Sequence, residues 1–224
     1  MRYIFCIIVF IISTEITAQP AASNSSTNPY ILILGTLQDG GSPHIGCEKD
    51  CCKNIDPNKK VVSLGIIDPS KTKKFLIEAT PDISTQLAAL KKASPSSNNS
   101  IPDGIFITHA HIGHYAGLMQ LGREAMNSKG VKVFAMPKMK LFLESNGPWN
   151  QLIALHNIEV TSIENDQSET ITPSIKVKAL KVPHRDEYSE TVGYIIEGPH
   201  KKVLFIPDID KWEKWNTSIV DLIK

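Results

Sequence analysis

Three of the chain's seven histidines fall within six positions, in Thr108-His109-Ala110-His111-Ile112-Gly113-His114, directly behind the apolar run Gly104–Thr108 (GIFIT). An apolar run this short predicts a buried strand. The window therefore spans the end of a strand and the start of a helix. Residues two apart in extended backbone share one side, which brings the His109 and His111 imidazoles together. His114 is reached as the chain turns into the helix. Three imidazoles converging at a strand end suit Zn²⁺ or Fe²⁺. The plainer alternative is three unrelated polar loop residues, and the clustering argues against it.

The rest of the chain sets this window in a layered α/β arrangement. Short apolar runs predict strands at Tyr30–Leu34, Val61–Asp68, Lys74–Ala79, Val131–Ala135, Ile158–Ile163, Ile175–Val182, Thr191–Glu197 and Lys202–Ile206. Helical spacing marks Asp82–Lys92, Tyr115–Met126, Pro137–Glu144 with proline in its first turn, and Lys211–Lys224. Strands dominate and helices are interspersed without strict alternation, so a mixed layered domain is expected rather than a plain doubly wound sheet.

Composition narrows the partners. With 24 Lys+Arg against 23 Asp+Glu, the net charge is +1. That excludes a polybasic nucleic-acid arm or an acidic tail as the main feature and leaves a small-molecule substrate. Residues Met1 to Ala18 carry Arg2, an apolar run from Tyr3 to Ile12, then small and polar residues, the shape of a secretory signal peptide. The run is far below the ~20 residues that span a bilayer, so no transmembrane segment is expected after cleavage. An uncleaved interfacial anchor is the alternative. Residues 19–28 form a polar spacer, and the folded domain is expected over 29–224. Export to the bacterial periplasm or beyond follows as the expectation.

Cys47, Cys51 and Cys52 form C-x₃-C-C, with His44 three residues before Cys47. Three cysteines cannot all pair within one loop, and adjacent cysteines strain a mutual disulfide. Four soft donors in nine residues suit a closed structural Zn²⁺ site. One disulfide with a free thiol is the alternative in an oxidising compartment.

The histidine window also resembles a known family. HxHxDH after a buried strand is the signature of the metallo-β-lactamase fold, and this chain reads HxHxGH. ILGTLQDGGSPHIGC, ATPDISTQL, NGPWNQL, VPHRDEYSETVGY and LFIPDIDKW resemble the branch containing the pyrroloquinoline quinone biosynthesis protein B and the cyclic phosphoribosyl phosphodiesterases. The resemblance implies a four-layer αββα sandwich. It implies that His109, His111 and His184 bind one metal, that Asp208 bridges to a second, and that His114 belongs to that second position. It also implies zinc in the cysteine loop. Two departures stand out. Gly113 replaces the family's aspartate, a ligand of the second metal. The family's further histidine after the Asp208 strand has no counterpart, so the last strands of the fold are expected to be missing.

The activity implied is metal-dependent hydrolysis of a small ester, phosphodiester or lactone. One alternative is an oxidoreductase step in quinone-cofactor synthesis, for which Fe²⁺ is compatible with the same ligands. Another is a non-catalytic metal- or ligand-binding role. Nearby residues carry further expectations. Asp39, in Gln38-Asp39-Gly40-Gly41, is a proton relay, a substrate contact or a loop cap. Tyr115, beside His114, is a candidate substrate contact. Arg185, Asp186 and Glu187 either orient an imidazole or are solvated charges.

Overall fold

The computed structural model describes residues 27–94 and 99–224. The expected signal peptide and most of the spacer lie outside them. Among the described residues, no helix is long and apolar enough to cross a membrane.

Among the described residues, ten strands form two sheets. The first runs β1 (Tyr30–Gly35), β2 (Ser63–Asp68), β3 (Lys73–Ile77), β4 (Gly104–Phe106), β5 (Val131–Ala135) and β6 (Ile158–Ser162), in that spatial order. β1–β2–β3 are antiparallel, and β3 through β6 are parallel. The second sheet is antiparallel in the order β10 (Lys202–Phe205), β9 (Val192–Glu197), β8 (Ile175–Lys181), β7 (Ser168–Thr172).

Side-chain alternation along the first sheet builds two cores. A short first helix, α1 (Asp50–Lys53), lies in the loop between β1 and β2. Ile67, Leu76, Ile105, Val133 and Ala135 pack against α2 (Ile83–Ala93), α4 (Pro137–Ser145) and α5 (Trp149–Ala154), through Ile83, Leu87, Leu90, Met139, Leu143 and Leu152. Their neighbours Ile66, Phe75, Ile77, Phe106 and Phe134 point the other way, onto Val177, Ala179, Val192, Tyr194 and Ile196 of the second sheet. The first sheet is thus covered on both faces, which explains why its strands read as unbroken apolar runs. Each such Leu, Ile or Phe contributes about 1.5–3 kcal/mol. Helices, first sheet and second sheet supply the α, β and β layers of the expected sandwich. After β10, Trp215 Nε1 donates to Lys181 O at 2.9 Å, which ties the closing segment to the end of β8.

Several elements differ from the expectations. The helix expected over Tyr115–Met126 is one α-turn, α3 (Ile112–Tyr115), followed by a 3-10 stretch, Ala116–Leu121. Gly117 explains the change. A Cβ there would lie 2.2 Å from Thr80 O, and Gly117 N donates to Ala79 O at 2.8 Å. The close approach pulls the chain out of α geometry. The helix expected over Lys211–Lys224 reduces to a 3-10 turn, Trp212–Lys214, and α6 (Ile219–Ile223). β7 was not expected. β7 is a mostly exposed edge strand of polar sequence, SETIT.

Candidate metal centre

The end of β4 is fixed before the histidines begin. Ile107 N donates to Phe134 O at 3.0 Å, Tyr194 Oη donates to Ile107 O at 2.6 Å, and Val192 N donates to Thr108 O at 3.2 Å. A second loop, after β8, brings His184 to the same place. Ala110 N donates to Ser189 Oγ at 2.8 Å, which locks the two loops together. The loop after β10 supplies Asp208, and Asp210 N donates to Pro183 O at 2.9 Å. Residues 109, 184 and 208 thus meet across three loops that follow β4, β8 and β10.

His109, His111, His184 and Asp208 each offer one donor atom, all within 4.8 Å of one another. His111 Nδ1 lies 2.9 Å from His109 Nε2 and 3.1 Å from His184 Nε2. Asp208 Oδ2 is 3.4 Å from His109 Nε2 and 3.7 Å from His184 Nε2. The outer ring nitrogens are held by other groups. His111 Nε2 donates to Glu187 Oε2 at 2.9 Å, His184 Nδ1 donates to Asp210 Oδ1 at 2.8 Å, and His109 Nδ1 is bonded to Thr108 Oγ1 at 2.9 Å.

This arrangement tests whether a metal fits. A carboxylate only accepts, so Glu187 and Asp210 keep the ring protons on the outer nitrogens. The inner nitrogens of His111 and His184 then present lone pairs to each other, beside the Asp208 carboxylate. Such a cluster is repulsive alone and matched by a cation. Outer carboxylates orienting imidazoles toward a common point are the usual support of a metal centre. The donor set fits a metal cofactor.

His114 is fully buried next to the cluster. Its Nε2 is 3.2 Å from Asp208 Oδ2 and its Nδ1 is 3.4 Å from Glu78 Oε2, yet neither nitrogen has hydrogen-bonding geometry. Burial works against charge on His114, but the Glu78 and Asp208 carboxylates together outweigh it and push the pKa up to about 10. Burial takes His109 the other way, down to about 4. His109 and His114 hold the Asp208 carboxyl well below the usual carboxylate range. Burial raises Glu78.

The structure thus brings His109, His111, His184 and Asp208 together and sets His114 behind them. Glu187 is the one member of the Arg185–Glu187 trio that orients an imidazole, whereas Asp186 accepts from Thr191 Oγ1. Arg185 Nη2 is 3.5 Å from His111 Nδ1, at the rim. Tyr115 is corrected. It is buried between Phe142 and Trp149, with ring centroids at 5.5 and 4.8 Å, and belongs to the helix-side core rather than to a substrate contact. In the cysteine loop the structure takes the disulfide alternative, Cys47–Cys52, and leaves Cys51 an exposed thiol. The three sulfurs still lie within 4.8 Å of one another. His44 does not join them, because its Nε2 meets Gln38 Nε2. Glu78, Asp210 and Thr108 were missed. Asp210 lies two residues beyond Asp208, which was the available signal.

A family model described as the beta-lactamase superfamily domain matches residues 73–222. The chain belongs to the beta-lactamase superfamily. Within that superfamily it is 26% identical over 206 residues to "Coenzyme PQQ synthesis protein B" of Methylococcus capsulatus, covering 82% of this chain and 67% of the relative. The Zn²⁺-bound PqqB of Methylobacterium extorquens superposes with a TM-score of 0.64 at 20% identity, over 82% of this chain and 67% of that one. A diphosphatase of the PhnP family gives 0.56 at 23% identity, over 75% and 62%. These superpositions show the metallo-β-lactamase fold, and the chain spans about two thirds of these relatives' length.

Proposed function

We infer that this superfamily member is a zinc-dependent hydrolase of a small ester, phosphodiester or lactone, exported from a bacterial cell. The observation that carries the reading is the inward-facing donor set of His109, His111, His184 and Asp208, with outer nitrogens tied to Glu187 and Asp210. A zinc ion held by these four residues would make water a nucleophile near neutral pH, so no protein side chain would be needed for attack. The protein's own residues do the positioning. Glu187 and Asp210 fix the ring orientation and tautomer of His111 and His184. Thr108 holds His109. The guanidinium of Arg185 is exposed at the rim, where it favours a substrate with an anionic group, the phosphodiester among the three classes. Export rests on the leader-like first 18 residues.

A second reading has its own support. The relative named for coenzyme PQQ synthesis favours a step in quinone-cofactor synthesis, and imidazole-rich sites also accept iron. A panel of phosphodiester, ester and lactone substrates separates the two. The first reading expects turnover with Zn²⁺ under anaerobic conditions and loss to background in His109→Ala/His111→Ala. Turnover of a quinone precursor only with Fe²⁺ and O₂ supports the second. Inertness of the metal-loaded protein across both sets contradicts both and leaves a binding role.

A further inference from the structure

Tyr188 is 66% exposed, on a loop whose neighbouring residues are tied down. Asp186 accepts from Thr191 Oγ1 at 2.8 Å, and Glu187 accepts from His111 Nε2 at 2.9 Å. Ser189 Oγ accepts from Ala110 N at 2.8 Å and donates to Glu190 O at 2.9 Å. Glu190 Oε2 accepts from Lys138 N at 3.0 Å, at the start of α4. Consecutive Cα atoms are about 3.8 Å apart, so Tyr188 stands one residue from the group that holds His111 and one residue from the group that holds Ala110. That puts it at the rim of the histidine site. Its ring leans on Phe142 of α4, with centroids 5.4 Å apart and planes at 39°. Phe142 is partly buried and is backed by Tyr115 and Trp149 at 5.5 and 5.7 Å. A braced backbone and a backing ring leave Tyr188 a large aromatic surface open to solvent, one that binds at low cost in conformational entropy.

The same loop carries a cation. Arg185, three residues before Tyr188, is 63% exposed, and its Nη2 lies 3.5 Å from His111 Nδ1. Its ion pair with Glu187 is long, 3.8 Å from Nη1 to Oε1, and Glu187 already serves His111. A guanidinium and an aromatic ring thus share one rim. A phosphodiester presents one negative charge and two ester substituents. The guanidinium matches the anion, and an aromatic substituent matches the ring. Ile112, the residue after His111, is exposed and adds apolar surface. Asp39 plays no part, since it lines a pocket with Lys60 and Asp82 that includes none of the four donors. We propose that Tyr188 is a stacking platform that selects phosphodiesters carrying an aromatic substituent, with Arg185 receiving the phosphodiester anion. The inference rests on the hydrolytic reading and names its substrate class.

Calorimetric titration of the full chain, equilibrated with Zn²⁺, with diphenyl phosphate and with diethyl phosphate tests it. The wild type is expected to bind the diphenyl ester roughly tenfold tighter or more. Tyr188→Ala and Tyr188→Leu are each expected to remove most of that preference, and Tyr188→Phe, which keeps the ring, is expected to retain it. Arg185→Ala is expected to weaken both esters by similar factors. Four results overturn the assignment: no binding of diphenyl phosphate, equal affinity for the two esters in the wild type, equal loss of both in Tyr188→Ala, which would make the ring a support of the loop, or a preference kept in Tyr188→Leu, which would make the contact merely apolar. Turnover of 4-nitrophenyl phenyl phosphate and methyl 4-nitrophenyl phosphate separates this failure from failure of the functional reading. Hydrolysis of both at equal kcat/KM, with Tyr188→Ala matching the wild type, overturns the platform and leaves the hydrolase. Selective binding of diphenyl phosphate with hydrolysis of neither substrate overturns the hydrolase and leaves the platform.

Discussion

His111 is held by groups on both of its ring nitrogens, and the outer one decides what the inner one can do. Glu187 accepts a hydrogen bond from Nε2–H and keeps the proton there, so Nδ1 faces His109 and His184 as a lone pair. Asp210 does the same for His184. Glu187→Gln and Asp210→Asn keep the shape but lose the charged acceptor. Each is expected to lower metal affinity by roughly 10–100-fold, read by competition with a chromophoric chelator. Equal affinity in both variants would mean the outer carboxylates are bystanders. At this scale the sequence was partly legible. His109, His111 and His114 declared themselves because they are adjacent in the chain. His184 and Asp208 came only through family resemblance, since they are 75 or more residues away from His109 and meet it through loop closure. The Glu78 and Thr108 contacts depend on strand register, which periodicity does not fix.

Elements set the second group of predictions. Asp68, at the end of β2, is buried. It accepts from Thr172 Oγ1 at 2.7 Å, Ser174 Oγ at 2.8 Å, Ser70 Oγ at 2.8 Å and Lys71 N at 3.2 Å, tying the first sheet to the β7–β8 turn. Burial raises its pKa, but these hydrogen bonds outweigh burial and lower it from 3.8. A lowered folded-state value stabilises the protein above the unfolded value. That stabilisation disappears as pH falls through the folded one. Asp68→Ala is expected to cost about 1.5–3 kcal/mol near neutral pH in urea unfolding, with the gap to wild type narrowing below about pH 4. A gap that stays constant with pH would assign the cost to packing alone. Gly113→Ala is expected to destabilise by about 1–3 kcal/mol, because its Cβ meets backbone atoms of Asp39 that cannot rotate away. An unchanged melting temperature would show the Gln38–Gly41 turn to be loosely held. Strands were legible where both faces are buried, as in β2 and β5. β7 was not, because an exposed edge strand of sequence SETIT carries little apolar signal. The helix expected from Tyr115 failed because helical periodicity does not register the approach of Gly117 to Thr80.

Over the whole molecule, two sheets share a core and a helix layer covers the first, so three separate chain excursions end beside one another. That convergence is what the superfamily membership and the PqqB superposition lead one to expect. It brings the His109, His111, His184 and Asp208 donors together at the loop ends, and the hydrolytic reading depends on it. The direct measurement is metal content per chain by elemental analysis, on the full chain and on His109→Ala/His111→Ala, both prepared in non-reducing buffer and equilibrated with Zn²⁺. The account predicts at least one more zinc per chain in the wild type than in the double variant. Equal zinc in the two proteins would contradict it.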